Sequence, residues 1–235
     1  MTQLKVGWEI FRSQAQILFS KKFLWAMVIL LGYFILFYVI NYNEPIIDRW
    51  TPEDILWFLE FPLVFMAIFL NMQLIASEKE NRTLEVMFTT AGSRYKVWLL
   101  RLAALNLVLL VVALSLSVLS FFTFADIAIL GTGLHAFVPA FFMGSLTLYL
   151  SVKLRGGLPA GMGAGGFFFL TMMFMDALED TRYNLLFNPY DLPRQLDPEI
   201  WNLWMWQNRI TVVCLGLLLL FFALRGLERR ERLLR

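Results

Sequence analysis

Six long apolar segments, separated by short polar stretches, dominate the pattern of hydrophobic and polar positions along this chain. The segments are 23–41, 55–76, 97–122, 127–152, 158–178 and 203–224. A helix needs about 20 mostly apolar residues to cross about 30 Å of hydrocarbon, and each segment meets this requirement. Strands of a membrane barrel would instead be about ten residues long and alternate in polarity. The pattern therefore predicts an all-α integral membrane protein with six transmembrane helices.

Composition supports placement in a bilayer, because 59% of the 235 residues are hydrophobic and only 16% are charged. The charged residues inside the predicted spans are Glu60, Arg101, Asp176 and Arg209. Each of them lies within about two helical turns of a predicted span end. A charge at the centre of a span costs about 2.5–3.5 kcal/mol, whereas a charged side chain near a span end can reach the headgroups.

The distribution of basic residues predicts the orientation of the chain. Segments 1–22, 77–101, 153–157 and 225–235 together hold 16 of the 20 Lys and Arg residues. Cytoplasmic loops of membrane proteins carry this excess. We therefore predict a multi-pass protein of the bacterial inner (cytoplasmic) membrane, with both termini and the basic tail 225–235 in the cytoplasm.

The first 22 residues form the segment before the 23–235 transmembrane domain. Apolar side chains recur there at steps of three and four, at Leu4, Trp8, Phe11, Ala15 and Leu18. This spacing predicts an amphipathic helix that lies in the cytoplasmic interface of the bilayer. A plain cytosolic extension of the first span is the alternative.

The charged segment 77–101 interrupts the apolar pattern between the second and third spans. Glu78 and Arg82 stand four residues apart, which favours a helix, and Leu84, Met87 and Phe88 share one helical face. This spacing therefore predicts a short cytoplasmic helix with an apolar surface. A hydrophobic groove on a partner protein would cover such a surface. Packing on this chain's own helix ends is the alternative.

The same segment resembles the signature of permease subunits of type 2 ABC transporters. Arg82 stands in place of the usual glycine, Ala91 in place of the proline, and Leu100 and Arg101 in place of a Gly-Lys pair. The residues that match the signature are Glu78, Glu80, Thr83, Leu84, Glu85, Thr89, Thr90, Ser93 and Arg94.

The resemblance implies that this segment is a coupling helix, which docks into a groove of a separate ATPase subunit. The docking residues would be Glu78, Glu80, Thr83, Leu84, Glu85, Met87, Phe88, Thr89 and Arg94. The chain contains no GxxxxGK[ST] phosphate loop. We therefore expect that it is not an enzyme, that it binds no cofactor, and that ATP and Mg²⁺ bind to the partner.

The resemblance also implies the kind of assembly. We expect the chain to pair with a second permease copy or a paralogue within the lipid bilayer. We expect it to bind no nucleic acid. The expected function is export along a path formed by the permease dimer. The alternative function is a non-transporting scaffold that transmits ATPase-driven motion to a membrane or periplasmic partner.

Polar and sulfur-containing side chains within the spans are candidates for lining such a path. Asn71, Gln73, Met172 and Met173 could do so. The amides could equally hydrogen-bond neighbouring helices, and methionines are ordinary residues of lipid-embedded helices. Thioethers also suit Cu(I), but consecutive methionines point to different helix faces, so we predict no metal site. His135, the only histidine, has no evident partners and is interpreted as a packing residue near the membrane interface.

The predicted outer loop, residues 179–202, is rich in proline. Pro189 and Pro193 interrupt it, and Trp201, Trp204 and Trp206 follow as a predicted interfacial belt. The family resemblance allows short re-entrant helices in this loop. The prolines equally fit an irregular cover over the bundle.

Overall fold

The computed structural model describes residues 21–43, 50–81, 94–154, 156–178, 181–193 and 196–230, and every regular element within these ranges is an α-helix. The predicted amphipathic segment, apart from its last two residues, lies outside the described residues. The helices are α1 (Lys21–Asn43), α2 (Pro52–Asn81), α3 (Arg94–Thr123), α4 (Ile129–Lys153), α5 (Gly157–Met173), α6 (Met175–Leu178) and α7 (Pro198–Arg230).

Five of these helices, namely α1, α2, α3, α4 and α7, are long and apolar enough to cross a membrane, by length and composition. The prediction of an all-α fold with multi-pass membrane character is therefore confirmed. The fifth predicted span differs from its prediction, because α5 has only 17 residues and α6 follows it after a break at Phe174. At 1.5 Å per residue, α5 is about 26 Å long, slightly less than the hydrocarbon thickness.

Helix α4 is the centre of the bundle, since it packs against α2, α3, α5 and α7. Small residues allow this close packing. A Cβ atom added to Gly144 would lie 2.6 Å from Nδ2 of Asn71 on α2. Likewise, a Cβ on Gly161 of α5 would lie 2.8 Å from Sδ of Met72 on α2. Without a hydrophobic driving force between helices in lipid, such close approach is what holds them together.

Among the described residues, two hydrophobic clusters fill the bundle. The larger one includes Leu59, Leu63, Leu105 and Met143 and extends through α1 to α5. The smaller one, here called the far-end cluster, lies near the carboxyl ends of α2, α4 and α7 and the amino end of α3. It consists of Leu74, Trp98, Leu102, Leu148, Val152 and Ala223.

Helix α1 is attached to the bundle mainly by aromatic side chains. Tyr33 stacks on Phe58 of α2 with ring centroids 4.9 Å apart, and Phe34 meets Phe124, just after α3, edge-on at 5.3 Å. Trp50, in the connection to α2, stacks on Phe124 at 4.8 Å. The remaining surface of α1 is largely apolar and exposed, as only 17% of its span is buried within the chain. Lipid or another subunit is the natural environment for such a surface.

Candidate functional site

Three charged or titratable side chains from three different helices meet at one end of the bundle. Glu60 comes from α2, His135 from α4 and Arg209 from α7. Arg209 Nη2 lies 3.6 Å from Glu60 Oε1, and Arg209 Nε donates a hydrogen bond to His135 Nδ1 at 3.2 Å. Because His135 accepts at Nδ1, it is the neutral tautomer that carries its proton on Nε2. Arg209 therefore joins the three helices through one side chain.

Burial makes this cluster unusual for an apolar bundle. Glu60 is 1% exposed and Arg209 5% exposed. Although charges near span ends can reach the headgroups, each of these two finds its opposite charge inside the protein. Arg101, in the same set of charges, is also buried, at 5% exposed. Within the described residues, Glu60 Oε1 and Arg209 Nη1 have no hydrogen-bond partner. Removing one partner of such a buried pair strongly destabilises the protein, since the remaining charge would stay buried and uncompensated.

A segment between α6 and α7, residues 181–193 and here called the cap, covers this cluster. The Phe187 carbonyl accepts a hydrogen bond from Arg209 Nη2 at 2.6 Å. The Phe187 ring is 1% exposed and lies 4.4 Å, centroid to centroid, from Trp201. Trp201 is itself buried and donates from Nε1 to the Pro189 carbonyl at 3.1 Å. Trp201 is thus part of the cap's packing, which corrects its assignment to the interfacial belt.

Further hydrogen bonds join the cap to the ends of α2, α4 and α7. They involve side-chain amides and a pair of hydroxyls, in the regular manner of buried polar groups. They are Asn208 Nδ2 to the carbonyls of Arg182 (2.9 Å) and Asn184 (2.8 Å), Asn188 Nδ2 to the Glu53 carbonyl (3.2 Å), and Tyr190 Oη with Thr132 Oγ1 (2.7 Å).

The cap has turns but no regular helix over residues 181–193. The structure therefore matches the irregular cover rather than the re-entrant helices, within this described part of the loop. Asx-type turns stabilise it, as Asn184 Oδ1 accepts from the backbone N–H of Leu186 at 3.0 Å and Asn188 Oδ1 from that of Tyr190 at 3.1 Å.

The arrangement is suited to holding helices in register rather than to bond chemistry. Arg209 connects to α2 by an ion pair and to α4 and the cap by hydrogen bonds, so a shift of any one element would break one of these charged interactions. No group of three or more His, Cys, Asp or Glu side chains that could hold a metal ion occurs among the described residues.

A groove lies beside the cap, between α5 and α7, and its volume is about 500 Å³. Its polar end is formed by Arg182, Tyr183 and Gln207, together with Asn208 and Thr211. Its apolar walls are formed by Phe142, Phe167, Leu185, Val212 and Leu215. This volume falls within the range of about 300–1,000 Å³ that is typical of small-molecule sites.

The four predicted path-lining residues do not border this groove. Asn71 is buried between α2 and α4, and its Nδ2 donates to the Ala67 carbonyl of its own helix at 2.9 Å. Gln73 is half-buried on α2. Met172 packs against the larger hydrophobic cluster, whereas Met173 is exposed. The structure thus distributes them over different surfaces, and a path-lining role remains a prediction.

Most of the predicted docking residues, 83–89, lie in segment 82–93, outside the described residues. Glu78 and Glu80 lie on the last turns of α2, which continues to Asn81 instead of ending near residue 76. Arg94 begins α3. The two described helices thus extend into the charged segment 77–101 from both sides, to Asn81 and from Arg94.

The sequence alone does not reveal the cluster of Glu60, His135 and Arg209, because the three residues lie in three different spans. One signal was available: opposite charges stand near the same predicted membrane face in the second and sixth spans. Ionisable residues inside membrane spans usually pair with one another. The hydrogen bond from Arg209 to the Phe187 carbonyl had no comparable signal.

No protein-family model, curated protein or solved structure matches this chain. The functional assignment therefore depends on the residues themselves.

Proposed function

We propose that this chain is the transmembrane permease subunit of an ABC transporter, driven by a separate ATPase subunit. The observation that carries the proposal is the signature in segment 77–101, in which Thr83, Leu84 and Glu85 match consecutive positions and Ser93 and Arg94 match again beyond the apolar stretch. The all-helical bundle with apolar surfaces is the kind of scaffold that such a subunit requires.

In this proposal the chain has six spans with both termini in the cytoplasm. α5, the break after it and α6 together make the fifth span, and α7 is the sixth. Two copies, or one copy and a paralogue, enclose the path, and the compound exported is hydrophobic or amphipathic. The exposed apolar faces of α1 and α7 are available for lipid or for the second subunit, as only 17% and 22% of their spans are buried within one chain.

The packing of the bundle supports a route by which ATPase motion would reach the membrane. α2 and α3 border the docking segment, and both pack against α4. Movement of the docking segment would therefore be carried by packed helices rather than by a flexible tether. At the other end of α2 and α4, the cap and the Glu60–Arg209 pair hold the helices together.

Copurification of the ATPase tests the proposal. The purified complex would be compared with the double variant Leu84→Glu, Phe88→Glu, extracted in mild detergent. A matched control, Leu233→Glu with Leu234→Glu, places two charges on leucines of the predicted cytoplasmic tail. We expect the first variant to lose the ATPase while still inserting in the membrane, and the control to retain it. An ATPase at normal stoichiometry in the first variant, or none in the wild type, would contradict the proposal.

A further inference from the structure

The groove between α5 and α7 is polar at one end and apolar at the other, as an amphiphilic ligand is. Along α7, Gln207 is at the polar end and Leu215 at the apolar end, a distance of about 12 Å at 1.5 Å per residue. Phe142 of α4 and Phe167 of α5 complete the apolar part. α5 and α7 both pack on α4, so the groove has a protein floor. Its rim is open to the surroundings, since Phe167 and Leu215 are exposed.

A positive charge is held at the polar end of this groove by neutral groups. Arg182 Nη1 donates to Gln207 Oε1 at 3.2 Å, and Nη2 donates to the Tyr183 hydroxyl at 3.0 Å. The guanidinium carbon also lies 5.2 Å from the centroid of the Tyr183 ring. These two hydrogen bonds use only part of the five N–H donors of a guanidinium. The partners of Arg182 among the described residues therefore orient its charge without neutralising it.

Two other hydrogen-bond donors at this end are engaged within the protein. Asn208 Nδ2 donates to the Arg182 and Asn184 carbonyls, and Thr211 Oγ1 donates to the Gln207 carbonyl. The contacts with the described residues thus leave the remaining donors of Arg182 and the hydroxyl proton of the exposed Tyr183 available for a ligand. Both suit phosphate oxygens, and a guanidinium matches phosphate geometry particularly well.

We propose that this groove binds an anionic phospholipid of the bilayer, with its phosphate on Arg182 and an acyl chain along Phe142, Phe167 and Leu215. Charge complementarity favours an anionic headgroup, and the open apolar rim between two membrane helices favours a ligand that arrives from the lipid phase. This site is independent of ATPase docking, because none of its residues lies in segment 77–101.

The test is a titration of the purified protein in detergent with phosphatidylglycerol and, separately, with phosphatidylcholine, counting bound lipids by native mass spectrometry. We expect one phosphatidylglycerol to bind preferentially. Arg182→Gln should weaken it about fivefold, the factor expected for one cation at an anionic lipid surface. The control Lys153→Gln removes another exposed cation, one that also lies over a tyrosine ring, 5.9 Å from the Tyr149 centroid. It should leave binding unchanged.

A second pair of variants tests the apolar half of the groove. Leu215→Trp should fill the groove and weaken binding by a similar factor, whereas Leu217→Trp, at an exposed position that does not line the groove, should not. Equal lipid binding by wild type and Arg182→Gln, or by the two tryptophan variants, would overturn the proposal. Displacement of the lipid by an equal concentration of inorganic phosphate would also overturn it. The proposal would also be wrong if Arg182→Gln or Leu215→Trp disrupted a dimer of the protein without reducing lipid binding, because the groove would then be a subunit interface.

Discussion

The two ends of the bundle are held together by different forces. At the cap end, Arg209 forms an ion pair with Glu60 and donates hydrogen bonds to His135 and to the Phe187 carbonyl. The far-end cluster, about 21 Å away along α2, is built mostly from apolar side chains such as Leu148, and its one neighbouring buried charge among the described residues, Arg101, lies 5.7 Å from the Trp98 ring centroid. Polar contacts specify one arrangement, whereas apolar contacts tolerate small shifts of packed helices. We therefore expect the cap end to be the more rigid end of the bundle, and the far end, where α2 ends and α3 begins, to be the end where helices adjust.

Breaking the polar end should have the largest effect on stability. Arg209→Met leaves Glu60 buried without its cation, which we expect to destabilise the protein by about 3–5 kcal/mol. The measurement is unfolding of the purified protein in detergent micelles. The double variant Glu60→Met, Arg209→Met removes both charges and should recover most of the loss. Equal destabilisation of the single and double variants would mean that the charges contribute through packing alone.

Opening a cavity at the far end should have an intermediate effect. Leu148→Ala removes a fully buried side chain, with an expected cost of about 2 kcal/mol, the lower part of the range for such changes because lipid is also apolar. Its effect should add to that of Arg209→Met, because the two sites are far apart and share no partner. Leu217→Ala, at an exposed position, is the control and should change stability little. Strong coupling between Leu148→Ala and Arg209→Met would contradict the separation of the two ends.

Removing a single hydrogen bond from the cap should have the smallest effect. Tyr190→Phe deletes the contact with Thr132, and interhelical hydrogen bonds in membranes contribute about 0.6 kcal/mol on average. Hydrogen exchange should show faster exchange in the cap and unchanged exchange around Leu148. Faster exchange at both ends would show that the ends form one cooperative unit.

The sequence predicted the helices well but the partners of their polar side chains poorly. Five apolar segments correspond to long helices because length and apolarity are local properties, which neighbouring residues express without tertiary contacts. The fifth segment was predicted to be longer than α5, since its composition does not reveal the break at Phe174. The cap was predicted only as a loop, and its turns depend on asparagines that bond to nearby backbone groups.

The limit of prediction from the sequence is clearer at the candidate site. Glu60, His135 and Arg209 were each identified in the sequence, but as separate residues near span ends. They lie 74 or more positions apart, and no local pattern links them. The groove was not predicted, because its lining comes from α4, the cap, α5 and α7 together.

The sequence by itself determined that this chain forms apolar helices with a charged segment between the second and third, because hydrophobic length and charge act locally and additively. It also supplied the signature on which the proposed function depends. Only the tertiary structure decided that two charges near span ends are buried against each other, that Trp201 supports the cap, and that Arg182 stands at the polar end of a groove. These three features depend on which helices are neighbours. The packing between segments that are distant in the sequence determines those neighbours.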